Sequence, residues 1–92
     1  MGYKINYESK ALKELSKIDR QVARRIHTFL TERIANLEDP RSVGEALRGS
    51  TLGEYWKYRV GDFRIITSIN DSTVSILVIK IGNRREVYSS IN

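Results

Sequence analysis

Between Glu54 and Ile69 the chain reads EYWKYRVGDFRIITSI, a period-two pattern interrupted once by Gly-Asp. Alternation places Trp56, Tyr58 and Val60 on one strand face and Tyr55, Lys57 and Arg59 on the other. Gly61-Asp62 suits a two-residue type II′ turn, because glycine takes the positive φ required at the first central position. That turn allows one register, pairing Val60 with Phe63, Tyr58 with Ile65 and Trp56 with Thr67 on an apolar face. The same register sets Arg59 against Arg64 on the opposite face. Like charges directly across a strand pair are destabilising. Solvated surface cations are the ordinary case, but here the hairpin itself forces the two together. An anion between them, a ligand phosphate or a partner carboxylate, would offset the repulsion.

The other segments supply what a hairpin needs to bury its apolar face. Tyr3–Tyr7 alternates and predicts a short strand. The stretch SKALKELSKI predicts a helix, with Ser9 as its cap and Ala11, Leu12, Leu15 and Ile18 on one stripe. Asp19 can cap a second helix, in which Val22, Ile26, Phe29, Leu30, Ile34 and Leu37 recur at helical spacing until Pro40. Lys10, Lys13, Lys17, Arg20, Arg24, Arg25 and Arg33 form the solvated outer face of this helical hairpin. Residues 40–53 read as loop. TVSILVIKIG predicts a strand, apolar at every position from Ile76 to Ile79, and so central and covered on both faces. Glu86–Tyr88 is a candidate for one more short strand. The expected fold is α+β in the order β-α-α-β-β-β: an N-terminal strand, a two-helix hairpin, then a three- to four-stranded antiparallel sheet. At 92 residues it forms a single domain, 1–92.

Composition removes whole classes of chemistry. The chain contains no cysteine, so disulfides, thiol catalysis and cysteine-ligated metals are excluded. One histidine, His27, lies mid-helix, where a metal site or a serine–histidine–aspartate triad finds no support. Glu45, Glu54 and Asp62 are not forced together, so carboxylate-pair or magnesium chemistry is weakly supported, and GSTLG lacks the lysine of a phosphate-binding loop. No metal or other cofactor is expected. No segment is long and apolar enough to span a membrane, and the N-terminus lacks a signal-peptide core, so a cytoplasmic protein is expected. Net charge is +5, spread evenly along the chain, which suits a polyanionic partner through a patch assembled by folding.

RNA is a polyanion that carries its own nucleophile. Its 2′-hydroxyl can attack the adjacent phosphorus if a protein supplies a base, an acid for the departing 5′-oxygen and cations for the phosphorane. Arg84, Arg85 and Tyr88 come within reach of Lys57, Arg59 and Arg64 if the last strand returns beside the hairpin. Tyr88 is then the available base. Its ordinary pKa near 10 is poor for that role, and a crowd of arginines would lower it.

LRGSTLGEYWKYRVGDFRIITSI, followed by VSILVIKIGNRREVY and preceded by ALKELSKID, resembles the RelE branch of the RelE/ParE toxin superfamily over nearly the whole chain. The resemblance implies the toxin of a type II toxin–antitoxin pair, a ribosome-dependent endoribonuclease that cuts mRNA in the A site. Residue by residue, it implies that Arg64 stabilises the transition-state phosphate, supported by Lys57. Arg84 would be the general acid, and Tyr88 would align the 2′-hydroxyl and act as base. Arg48 would touch RNA, and Arg59, Arg85 and Asn83 would bind beside it. Tyr55 stands where some members carry a second lysine, and Asn83 where many carry histidine, so two proton carriers are replaced. Implied partners are an acidic, RelB-like antitoxin, the ribosome with its mRNA, and operator DNA only for the toxin–antitoxin complex. The rival expectation is a ParE-like gyrase poison, whose relatives generally lack the cation–tyrosine cluster. A third is a basic domain that binds an acidic partner.

Overall fold

The computed structural model describes residues 2–47 and 55–83. Strand β1 (Lys4–Tyr7) leads into helix α1 (Ser9–Ser16) and helix α2 (Arg20–Thr28). A π-helical turn (Phe29–Ile34) and a 3₁₀ turn (Pro40–Ser42) precede β2 (Glu45–Ala46). Strands β3 (Tyr55–Val60), β4 (Phe63–Asn70) and β5 (Ser75–Asn83) follow. Arg48, Glu54, Arg84, Arg85, Tyr88 and the candidate strand at residues 86–88 lie outside the described residues.

The α+β class and the order of the main elements match the sequence pattern, but the sheet is larger. Among the described residues it has five strands in the order β1-β5-β4-β3-β2, and β1 pairs with β5 in parallel. The first and last described strands therefore lie side by side. A two-residue β2 borders β3 within the expected loop, too short to leave a periodic signal.

Local chemistry explains most element boundaries. Asp19 accepts backbone N–H bonds from Gln21 at 3.1 Å and Val22 at 3.3 Å, as its place before an apolar stripe suggested. Ser9 is instead the first residue of α1: the cap position is Glu8, in extended conformation and without a side-chain cap bond. The expected single helix from Asp19 to Leu37 changes pitch at Phe29. There Ala35 N–H reaches back five residues to Leu30 C=O at 2.9 Å, the signature of a π turn.

One apolar layer joins helices to sheet. Ala11, Ile26, Leu30 and Ile34 from the helical side meet Tyr58, Val60, Ile65, Ile76, Val78 and Ile81 from the sheet. The opposite sheet face carries a smaller cluster, Leu47 and Ile66 with half-buried Tyr55. This corrects the expectation that β5 is fully covered on both sides. It is an interior strand, yet Leu77 and Ile79 are only half-buried while Ile76 and Val78 are buried. A β-bulge accounts for Ile79: Ile66 pairs with Lys80 and Thr67 with Val78, leaving Ile79 unpaired in the β4–β5 ladder. Strand β1 flanks β5 only as far as Val78. Beyond it Glu14 of α1 accepts the Ile81 N–H at 2.9 Å and pairs with Lys80, so a helix side chain covers the edge that β1 leaves open.

At the far end, Asp71 accepts from the Tyr3 hydroxyl at 2.9 Å and pairs with Arg41 at 3.1 Å, linking three chain segments. Arg41, and then Tyr3, hold the Asp71 carboxyl below its ordinary value of 3.8. A depressed carboxylate pKa stabilises the fold above the unfolded-state value and loses that contribution as pH falls through the folded-state value. Thermal unfolding should therefore show Asp71→Asn less stable than wild type at neutral pH, with the gap closing as pH falls below 3.8.

Val74 follows Asp71 in the same turn at φ 51°, in the left-handed region, with its side chain exposed. A β-branched residue there is strained by about 1–2 kcal/mol, and asparagine tolerates the conformation far better. Urea unfolding of Val74→Asn should show a gain of about 1 kcal/mol.

Candidate anion-binding cleft

The β3–β4 hairpin has the register its turn dictates. Gly61 sits at φ 59°, and Arg59 pairs with Arg64, Tyr58 with Ile65 and Val60 with Phe63. Tyr58 is buried against the helices. Its hydroxyl donates to Pro40 C=O at 2.6 Å, and burial pushes its pKa strongly upward. This phenol, though beside the cleft, is thus a poor base. Its neighbours in sequence, Lys57 and Arg59, face the other way by the pleat.

Lys57, Arg59 and Arg64 line one cleft of about 640 Å³. Arg33 and Phe29 from the π turn, Tyr58 and the Val43–Glu45 segment complete its walls. Arg64 is only 9 % exposed. Among the described residues no hydrogen-bond acceptor or carboxylate lies against its guanidinium, in contrast to Arg41 and Lys80, which have Asp71 and Glu14. The Arg64 guanidinium nitrogens still reach the cleft, where they are presented to any anion that enters. Arg59 is exposed at its side and Lys57 half-buried. Glu45 stands opposite Lys57 in the β2–β3 register and is the one acid on the cleft wall among the described residues.

The cleft opens because β2 covers so little of β3. It pairs only with Trp56 and Lys57 and leaves the rest of β3 toward Val60 unflanked among the described residues. Two side-chain bonds tie down the segment before β2, Trp56 Nε1 to Val43 C=O at 2.8 Å and Tyr58 to Pro40. Gly44, at φ 81°, then passes so close to β3 that an added Cβ would lie 2.5 Å from Lys57 C=O and 2.8 Å from Tyr58 Cδ1. Only glycine fits both the conformation and the approach.

The structure therefore brings together Lys57, Arg59 and Arg64 of the residues singled out by sequence. Asn83 lies opposite Phe63 and lines a different cleft, with Glu14, Lys17 and Lys80. Arg48, Arg84, Arg85 and Tyr88 lie outside the described residues, and Asn83, the last described position, is adjacent in the ladder to Gly82, the partner of Arg64. His27 is exposed on α2, within 2.8 Å of the Tyr7 hydroxyl through Nδ1 and stacked on that ring. Among the described residues no three His, Asp or Glu side chains cluster as a metal site. Sequence reasoning missed Arg33, assigned to the solvated helical face, and Glu45, assigned to a loop. The helical stripe did hold a hint for Arg33, because Phe29, one turn before it, belongs to the buried face.

Comparison with known proteins identifies the family. The family model described as "ParE toxin of type II toxin-antitoxin system, parDE" matches residues 5–88. The chain belongs to the RelE/ParE family of type II toxin–antitoxin toxins. Within it, the chain is 33 % identical to the mRNA interferase toxin RelE of Escherichia coli K12 over 91 residues, covering 97 % of this chain and 93 % of that protein. Among solved structures, a mutant of E. coli RelE in the free state is 29 % identical with a TM-score of 0.76, covering 99 % of this chain and 95 % of the other. The toxin–antitoxin complex RelBE2 of Mycobacterium tuberculosis shares the fold at 20 % identity, with a TM-score of 0.80 and coverage of 91 % and 93 %.

A Gly44→Ala substitution in this RelE-like chain should destabilise it by at least about 1–2 kcal/mol, the cost of a left-handed alanine before any clash is counted. Chemical denaturation measures the loss. A neutral outcome would mean that β2 does not approach β3 as described.

Proposed function

We propose that the chain is the toxin of a type II toxin–antitoxin pair and acts in the cytoplasm as an endoribonuclease that cuts mRNA in the ribosomal A site. The observation that carries this reading is Arg64: nearly buried, without a counter-charge among the described residues, in a cleft with Lys57 and Arg59. Kinship with a protein named mRNA interferase supports the same reading. The reaction is attack of the 2′-hydroxyl oxygen on the adjacent phosphorus. The P–O bond to the 5′-oxygen breaks, giving a cyclic phosphate and a 5′-hydroxyl, and no metal is required. Arg64, with Lys57 beside it, stabilises the charge that develops on the non-bridging phosphate oxygens, the interaction that strengthens in the transition state. Arg59 holds a neighbouring phosphate. Tyr88 aligns and deprotonates the 2′-hydroxyl and Arg84 protonates the leaving oxygen. Arg48 and Arg85 bind RNA around this centre, whereas Asn83, which lines the neighbouring cleft with Lys17 and Lys80, is left out of it. An acidic RelB-like antitoxin neutralises the toxin by covering the cleft, and the pair binds operator DNA together.

The description of the matching family model as a ParE toxin favours a second reading, a gyrase poison. A nearly buried arginine in a cationic cleft has no evident use in that reading, whereas phosphoryl transfer gains from a preorganised cation at the non-bridging oxygens.

Primer extension on a message translated in vitro tests the proposal. Wild type should cut ribosome-bound mRNA, while Arg64→Ala should lower the single-turnover rate roughly a hundredfold or more, the scale for removing one preorganised transition-state donor. Equal cutting by the two proteins, or inhibition of gyrase supercoiling without any cutting, would overturn it.

A further inference from the structure

The cationic cleft does not end at the sheet. Arg33 and Phe29 also line a second, mostly apolar groove of about 590 Å³, which runs along α2 past Arg24, Arg25 and one acid, Glu32, to the side of Val60. Arg24, Arg25 and Arg33 are exposed, and among the described residues none has a carboxylate partner. Surface arginines on a helix usually serve only as solvated charge, so exposure alone carries little weight. Three further observations bear on these. The groove is continuous with the cleft through two shared residues. Those residues, Phe29 and Arg33, both belong to the π turn, a rare helical form that concentrates at functional sites. Phe29 is half-buried, and its ring packs edge-on against that of Tyr58, 6.1 Å between centroids, at the junction of cleft and groove.

We propose that this groove is a second phosphate subsite for the same single-stranded RNA that enters the cleft. The backbone passes from Arg64 over Arg33 to Arg24 and Arg25, and one base rests on the accessible part of the Phe29 ring. Cations spaced along a groove with an aromatic between them are what sequence-tolerant binding of single strands requires. The identity of the ligand rests on the nuclease reading above. The consequence is a footprint longer than the scissile dinucleotide, with affinity that grows with RNA length.

Binding of non-cleavable 2′-O-methyl RNA to the full chain tests this independently of cutting. Wild type should bind a nine-nucleotide oligomer roughly tenfold or more tighter than a three-nucleotide one. The double variant Arg24→Ala/Arg25→Ala should lose most of that difference. Its plot of log affinity against log salt for the long oligomer should flatten by about 1.4, which is about 0.7 for each single-strand phosphate that is no longer neutralised. Phe29→Leu should weaken the long oligomer while leaving the salt slope as it was. Circular dichroism on each variant confirms the fold. Equal length dependence in wild type and the double variant would overturn the proposal. So would a double variant that binds oligomers normally but loses affinity for empty ribosomes or for an acidic antitoxin, since the groove would then serve ribosomal RNA or a protein. Length-dependent binding without cleavage would instead retain the subsite and sink the nuclease reading. Cleavage without length dependence would do the reverse.

Discussion

Everything in the cleft depends on the register of the β3–β4 hairpin. Gly61 at φ 59° closes the turn, and the apolar pairs Val60–Phe63 and Tyr58–Ile65 lock the two strands against the helices. A slip by one residue would turn those side chains to solvent, at the full cost of the core. Burial on one face thus holds an unfavourable pairing on the other, Arg59 across from Arg64. The repulsion need not be relieved within the described structure, because the hydrophobic term that sets the register is far larger than a like-charge pair at a sheet surface.

The remaining elements turn that charged face into a site. A long β2 would have covered β3 and filled the space beside it, but its two residues leave the rest of that edge unpaired among the described residues. Gly44 lets the chain approach β3 closely and then turn away, with Trp56 and Tyr58 holding the segment through its carbonyls. On the other side the π turn brings Phe29 and Arg33 to the same space. The cationic wall is therefore assembled from sheet and helix, while Arg84 and Tyr88, the proposed proton carriers, follow in sequence after the strand that borders β4. Glu14 fastens that strand just beyond the bulge at Ile79.

The absence of histidine from the cleft shapes the chemistry. His27 is occupied with Tyr7, and Tyr58, the phenol on the cleft wall, is raised in pKa and committed to Pro40. In the proposed reaction, proton transfer falls to groups whose ordinary pKa values lie far from neutrality. Such a centre gains most of its rate from positioning and charge stabilisation, which is consistent with a substrate that brings its own nucleophile.

Much of this was legible in the sequence wherever the determining interaction is local. The hairpin register, the Arg59–Arg64 opposition and the Asp19 cap each follow from a few adjacent residues, because turn geometry and side-chain periodicity act over that range. The parallel pairing of β1 with β5, the two-residue β2, the π turn and the bulge at Ile79 left no such pattern. They arise from contacts between segments far apart in the chain, where closing one core decides which edge is paired and where the spare residue goes. For the same reason the sequence alone determined that Lys57, Arg59 and Arg64 share one face. Only the tertiary structure decided that Arg64 is nearly buried at the cleft wall, that Arg33 and Glu45 join it, and that Asn83 faces another cleft. Charge type and local order are written residue by residue, whereas burial and convergence exist only once distant elements have packed.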